Sequence, residues 1–189
     1  MSVTLEQAKG DSFDEDLLLV DRILAREPEA FQGIYDKYHD KVYAIARGIL
    51  LDADEASDAV QEVFTLVFRN LAKFDRRSKF STWLFRIAVN RSIQHSRRLK
   101  FKKRQDPIGD SVELIPVEAT SEDLPDPVVE KVMADMHPND RAILTLFYWD
   151  ELSLQEIAES IDCSANAAKT RLFRARERFR VLYERELNK

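Results

Sequence analysis

Between Asp54 and Leu71 the apolar residues Val60, Val63, Phe64, Val67 and Leu71 fall at i, i+3, i+4, i+7 and i+11. That spacing places them on one stripe of an α-helix. The same periodicity predicts a helix over Asp14–Arg26. A second starts at Pro28 and runs through Phe31, Ile34, Tyr35 and Tyr38, and a third covers His39–Leu51. Another spans about Thr82 to Leu99. Further on, helices are predicted over Val128–Met136, Asn139–Trp149, Ser153–Ser160 and Ser164 to about Glu186. Strand-like alternation is absent, so the expected fold class is all-α.

The periodicity stops at residues 106 to 130, DPIGDSVELIPVEATSEDLPDPVVE, which carry eight acids, no base and four of the six prolines. A segment of this length exceeds the usual loop of roughly 12 to 15 residues. It is read as a flexible acidic linker, 105–127, joining two small helical domains, 14–104 and 128–186. The alternative is a surface loop within one domain.

Charge sharpens this division. Residues 76 to 104 hold eleven Lys and Arg and no acid, which leaves 18 bases against 34 acids in the rest of the chain. Such asymmetry suits a surface that meets a polyanion. Phe80, Trp83, Phe85 and Phe101 are interleaved with these bases. They are either core residues beside a basic face or planes that receive unstacked bases. Phe85 is taken as core; Phe80 is left open. On a helix starting near Thr82, Trp83, Arg86, Asn90, Gln94 and Arg97 share one side, while Leu84, Ile87 and Ala88 turn toward neighbouring helices. Before it, Phe74 to Ser81 reads as a polar loop with Arg76, Arg77, Ser78 and Lys79.

A second nucleic-acid signal lies in SLQEIAESIDCSANAAKTRLFRARERFR. Ser153 and Glu156 form an S-x-x-E capping box. Leu154, Ile157, Ala158 and Ile161 give the helix one apolar face, Ile161–Ser164 makes a turn, and Ser164 can cap the next helix. There Ala168, Leu172, Ala175 and Phe179 should face inward. Lys169, Thr170, Phe173 and Arg174 then point outward, with Arg171, Arg176, Arg178 and Arg180 on the flanks. This is a helix-turn-helix whose second helix presents major-groove chemistry. A solvated basic helix is the bland alternative. Asp162 stands where such turns often carry Gly, and Asp tolerates the left-handed conformation better than most residues. Cys163 is read as a small buried hydrophobe.

Composition excludes several classes. One cysteine in 189 residues allows no internal disulfide, and His39, His95 and His137 have no metal-ligand spacing, so neither metal nor cofactor is expected. Four glycines cannot build a phosphate loop, and no hydrolase elbow or zinc-protease pair occurs, so the chain is not expected to be an enzyme. No apolar run reaches membrane-span length, and the polar start lacks a secretion signal. The expectation is a cytoplasmic protein with no membrane contact of its own.

These features leave a stand-alone helix-turn-helix regulator, which would bind as a homodimer, and an adaptor whose basic faces meet acidic proteins. A third reading uses the whole chain. DAVQEVFTLVFRNLAKF, FSTWLFRIAVNR and SLQEIAESIDCSANAAKTRLFRARERF resemble, in order and spacing, regions two and four of an extracytoplasmic-function sigma factor, nearest the sigma-E type. The resemblance implies a transcription initiation factor whose partners are core RNA polymerase (largest-subunit clamp and flap), promoter DNA as duplex and melted strand, and an anti-sigma factor. It implies clamp binding by Asp58, Gln61 and Glu62. Minus-ten contacts would come from Phe74, Arg76, Ser78, Lys79, Phe80, Trp83, Arg86 and Asn90. Minus-thirty-five contacts would come from Lys169, Thr170, Arg171, Phe173 and Arg174. Phe147, Glu151, Asp162 and the start Ala165-Asn166-Ala167-Ala168 depart from the family pattern.

Overall fold

A computed structural model describes residues 15–105 and 126–189. Residues 106–125, most of the acidic linker, lie outside the described residues. The described residues form eight α-helices: α1 over 15–24, α2 Pro28–Leu50, α3 Ala53–Asn70, α4 Phe80–Gln105, α5 Pro127–Asp135, α6 Pro138–Tyr148, α7 Leu154–Ser160 and α8 Ala165–Leu187. A short 3-10 turn, Leu71–Lys73, follows α3.

Local chemistry sets the helix ends. Pro occupies the first turn of α2, α5 and α6, where its missing N–H has no intrahelical partner to lose. Asp52 caps α3 by accepting from Glu55 N at 2.9 Å, and Asp126 caps α5 through Val128 N at 2.8 Å. The predicted break between Tyr38 and His39 is absent, because α2 is one helix of 23 residues. No Gly or Pro interrupts it there. The buried stripe Ile34, Tyr38, Val42, Ile45 and Ile49 continues straight through the junction at helical steps.

The first unit packs α2, α3 and α4 against one another. All five residues of the α3 stripe are buried, together with Ile34, Ile45, Ile49, Phe80 and Leu84. Helix α1 is fastened by buried Asp16, which accepts from the Tyr38 hydroxyl at 2.5 Å and pairs with Lys37 Nζ at 2.8 Å. The second unit closes α5, α6 and α7 around α8, burying Val132, Met133, Ile143, Leu146, Ile157, Leu172 and Ala175.

The two units do not hang apart as separate beads. Helix α6 packs on α2, and α7 packs on α4. Gly48 makes the first contact possible, since a Cβ on it would run into the Thr145 side chain. Across the same junction the buried Arg141 donates from Nε to Ile49 O at 2.7 Å, near the C-terminus of α2. Its Nη1 donates to Met133 O at 3.2 Å and Met136 O at 3.0 Å, at the end of α5. Burial lowers the Arg141 pKa. The carbonyl ends of two helices offset the lost hydration of its charge.

Candidate nucleic-acid interface

The basic segment builds a surface of uneven character. On α4, Arg86, Asn90, Gln94 and Arg97 are exposed and share one side, while Leu84 and Ala88 are buried and Ile87 is half-buried. The aromatic contribution is smaller than the sequence suggests. Phe80 is wholly buried, with its ring centroid 5.8 Å from Tyr38 and 5.7 Å from Phe74. Phe74 is buried as well. Both rings belong to the core that seats the start of α4, and neither offers a face to DNA in this arrangement. Trp83 is half-buried, 5.4 Å from Phe74 and 5.9 Å from Phe80, so of the three it is the ring nearest the surface. Phe101 is 62% exposed farther along the helix.

Several cations of this segment are already engaged. Arg76 pairs with Asp21 of α1. Lys79 Nζ lies 2.8 Å from Glu156 Oε1, and Arg86 Nη2 lies 2.8 Å from Asp162 Oδ2. Ser78 is half-buried, and Asn90 is exposed.

On α3, opposite the apolar stripe, Asp58 and Gln61 are exposed. Glu62 differs. It is half-buried, paired with Arg91 Nε at 2.6 Å and with Arg98 Nη2 at 3.5 Å on α4. Glu55 likewise pairs with His95 of α4. Glu62 and Glu55 thus tie α3 to α4. Asp58 and Gln61 are the residues of the predicted trio left facing solvent.

The helix-turn-helix is built as its capping residues dictate. Ser153 Oγ accepts from Glu156 N at 3.3 Å, and Glu156 accepts from Ser153 N at 3.1 Å, which completes the capping box. Ser164 caps α8 by accepting from Ala167 N at 3.2 Å. In the turn between them Asp162 has φ 55°, and Cys163 is half-buried rather than fully buried. Ala168, Leu172 and Ala175 face the core and Phe179 is half-buried, which leaves Lys169, Thr170, Arg171, Phe173 and Arg174 exposed together. Thr170 Oγ1 bonds back to Asn166 O at 2.9 Å, so its methyl is the freer group. Nearby, Arg176 stacks 4.6 Å over the Phe147 ring, bringing a cation to a position where the sequence has an aromatic.

Three residues that matter here gave little sign in the sequence. Arg141 sits in the apolar run of α6, and a lone Arg in such a run was the available signal. Glu156 and Asp162 read as a capping residue and a turn residue, and nothing local points to their partners, Lys79 just before α4 and Arg86 on it.

Residues 34–102 match the family model for sigma-70 region 2, and residues 128–179 match that for sigma-70 region 4. The Bacillus subtilis ECF RNA polymerase sigma factor SigW is 34% identical over 169 residues, covering 82% of this chain and 89% of its own. The chain belongs to the extracytoplasmic-function group of the sigma-70 family. The Escherichia coli K12 ECF sigma-E factor is 31% identical, covering 86% of this chain and 91% of its own. Among solved structures, CnrH in complex with the cytosolic domain of CnrY matches with TM-score 0.67 at 20% identity, over 90% of this chain and 97% of that one. The Bartonella quintana sigma factor RpoE, in complex with the anti-sigma factor NepR, matches with TM-score 0.64 at 22% identity, over 82% and 96%. At that identity these two establish the fold alone. As a sigma factor the protein is a transcription initiation factor and not an enzyme, and its two regions serve core RNA polymerase and promoter DNA. A stand-alone helix-turn-helix regulator would leave the first unit, matched as region 2, without a role.

Proposed function

We propose that this sigma factor, acting in the cytoplasm, divides its work among three surfaces. The observation that carries the reading is the solvent-facing group Lys169, Thr170, Arg171, Phe173 and Arg174 on a helix capped by Ser164. It has the donors for guanine edges and phosphates, and it reads the minus-thirty-five duplex. Arg174→Ala or Lys169→Ala is expected to cost about 1 to 3 kcal/mol where the side chain reads a base. Binding of wild type and variant to a set of mutated upstream sites checks this. A phosphate contact would weaken every site alike and flatten the salt dependence. An Arg174→Ala protein with unchanged affinity and site preference refutes the choice of face.

The second surface is the outer side of α3, which docks on the polymerase clamp. Glu62 braces α4 from the same helix, so Asp58→Ala with Gln61→Ala is the clean test. Neither residue is buried, and substitutions on exposed helix positions change stability by little. Helicity and melting temperature should stay as in wild type while holoenzyme assembly is lost. Normal assembly by this double variant would remove the docking assignment.

The third surface is the α4 side with Lys79, Trp83, Arg86 and Asn90, which meets the minus-ten element once it is melted. Cations hold phosphates there, and the half-buried indole and the Asn amide suit an unstacked base. The structural relatives are complexed with CnrY and with NepR, and we propose that an anti-sigma partner holds this protein too. Helices α5, α6 and α8 enclose an open groove of about 590 Å³ lined by Val129, Met133, Tyr148, Trp149 and Phe179. Trp149 is 58% exposed there. The groove suits an amphipathic helix, either of the polymerase flap or of that partner.

A further inference from the structure

We propose that Asp150 makes the junction between the two units pH-sensitive: acid tightens the packing of α6 on α2, and ionisation of this buried carboxyl loosens it. It is a property of the α2–α6 contact and is independent of which surface meets DNA.

Asp150 follows α6 in the turn that leads to α7. Its main-chain N donates to Thr145 O at 3.3 Å, which holds it against the end of the helix that packs on α2. The next residue, Glu151, has φ 50°, a left-handed conformation that is costly for any residue other than glycine. The Asp150 Oδ2 is buried and makes no hydrogen bond among the described residues. Thr145 Oγ1, which faces Gly48 of α2, is buried and unbonded in the same way. For the carboxylate the cost is the larger, because burying an unpaired charge costs more than burying a hydroxyl. A neutral carboxyl avoids that cost. Burial pushes Asp150 up to about 7, while Lys41 of α2 pulls it the other way. Lys41 is exposed, so water and salt screen its pull.

The other charged groups around the contact have partners of their own. Against its burial, bonds from Lys79 and Ser153 hold Glu156 of α7 down to about 2, so it stays ionised at neutral pH. Asp162 pairs with Arg86 of α4. Arg176 of α8 lies over the rings of Phe147 and Tyr148, and Arg141 of α6 is bonded to main-chain carbonyls. His137 caps the far end of α6, while His39 and His95 bond Asp40 and Glu55 within the first unit. None of these histidine bonds crosses the junction.

Parting the units returns Asp150 to water and to the ordinary carboxyl range, near ~3.9. The closed form therefore holds the proton more tightly than the open one. Closure is strongest below about pH 4, weakens as pH rises from there, and has lost this contribution above about 7. Acidification from about pH 7.5 to about pH 5 should raise the closed-to-open ratio roughly 70-fold.

Carbon-13 spectra of the full chain follow the Asp150 carboxyl, with Asp150→Asn identifying its resonance. Two variants open the junction for comparison. Gly48→Leu drives a side chain into Thr145, and Lys79→Glu with Arg86→Glu sets acids against Glu156 and Asp162. Small-angle scattering shows which is open, and the second serves if Gly48→Leu fails to fold. Asp150 should titrate at about 7 in wild type and in the ordinary carboxyl range in an opened chain. In scattering through a urea series, acid should favour the closed form of wild type. Asp150→Asn, neutral at every pH, should stay as closed at about pH 7.5 as at about pH 5. The proposal is overturned if the carboxyl titrates in the ordinary range in wild type, if it titrates alike in closed and opened chains, or if Asp150→Asn leaves the pH dependence of opening intact.

Discussion

Arg141→Ala is expected to destabilise the protein by about 3 to 5 kcal/mol, among the larger effects available in the chain. The guanidinium is 4% exposed and serves three main-chain carbonyls, those of Ile49, Met133 and Met136. Truncation leaves these acceptors with fewer donors in a place water does not reach freely, and each unsatisfied group costs about 1 to 3 kcal/mol. It also empties the space between α2, α5 and α6. For a chain of this size a loss near 4 kcal/mol lowers the melting temperature by about 10 °C. Arg141→Lys should rescue little, because one ammonium cannot reproduce a planar fork spread over two helix ends. Thermal and urea unfolding of the two variants checks both statements. A melting temperature within a degree or two of wild type would mean that Arg141 is not the tie described. Two of its three bonds stay within the second unit, so most of the loss should persist even when the units are apart.

The second large effect belongs to Phe80. Its ring is 0% exposed and is packed among Tyr38, Phe74 and Trp83. Phe80→Ala should cost about 3 to 5 kcal/mol through lost burial and the cavity left behind. Phe80→Leu, which retains most of the volume, should cost well under half of that. The comparison decides whether Phe80 is core or a DNA contact. A core ring predicts that DNA binding by Phe80→Leu stays close to wild type while unfolding midpoints shift in proportion to lost volume. A stacking ring predicts the reverse: stability near wild type and a loss of single-stranded DNA affinity of about 1 to 3 kcal/mol in both variants.

The contrast between Phe80 and Arg174 shows how much of the site was legible. On α8 the core positions recur at steps of four, three and four, so the exposed set Lys169, Thr170, Phe173 and Arg174 follows by subtraction. A long helix with one buried stripe leaves no other solution. At the start of α4 the same reasoning was ambiguous. Phe80, Trp83 and Phe85 sit within six residues, and a helix can bury some of that arc and expose the rest. Which ring goes inside depends on Tyr38 and Phe74, which come from other parts of the chain. The surroundings of Glu62 were hidden for a related reason. It lies on the polar side of α3, yet α4 packs close enough for Arg91 and Arg98 to claim it.

Local patterns sufficed wherever the physics is local. Helix periodicity, proline in first turns, the Ser153–Glu156 box and the Ser164 cap set the all-α class, the element order and the outward face of α8. The basic stretch from 76 to 104 and the family motifs named the function, because charge and order survive without coordinates. Three-dimensional packing alone decided that Gly48 admits Thr145, that Arg141 spans two helix ends, and that Glu156 and Asp162 meet Lys79 and Arg86. The partners across the junction, Gly48 with Thr145, Ile49 with Arg141, Lys79 with Glu156 and Arg86 with Asp162, are separated by more than seventy residues along the chain, and no period or spacing relates them. Their energies arise only when two amphipathic units present particular faces to each other.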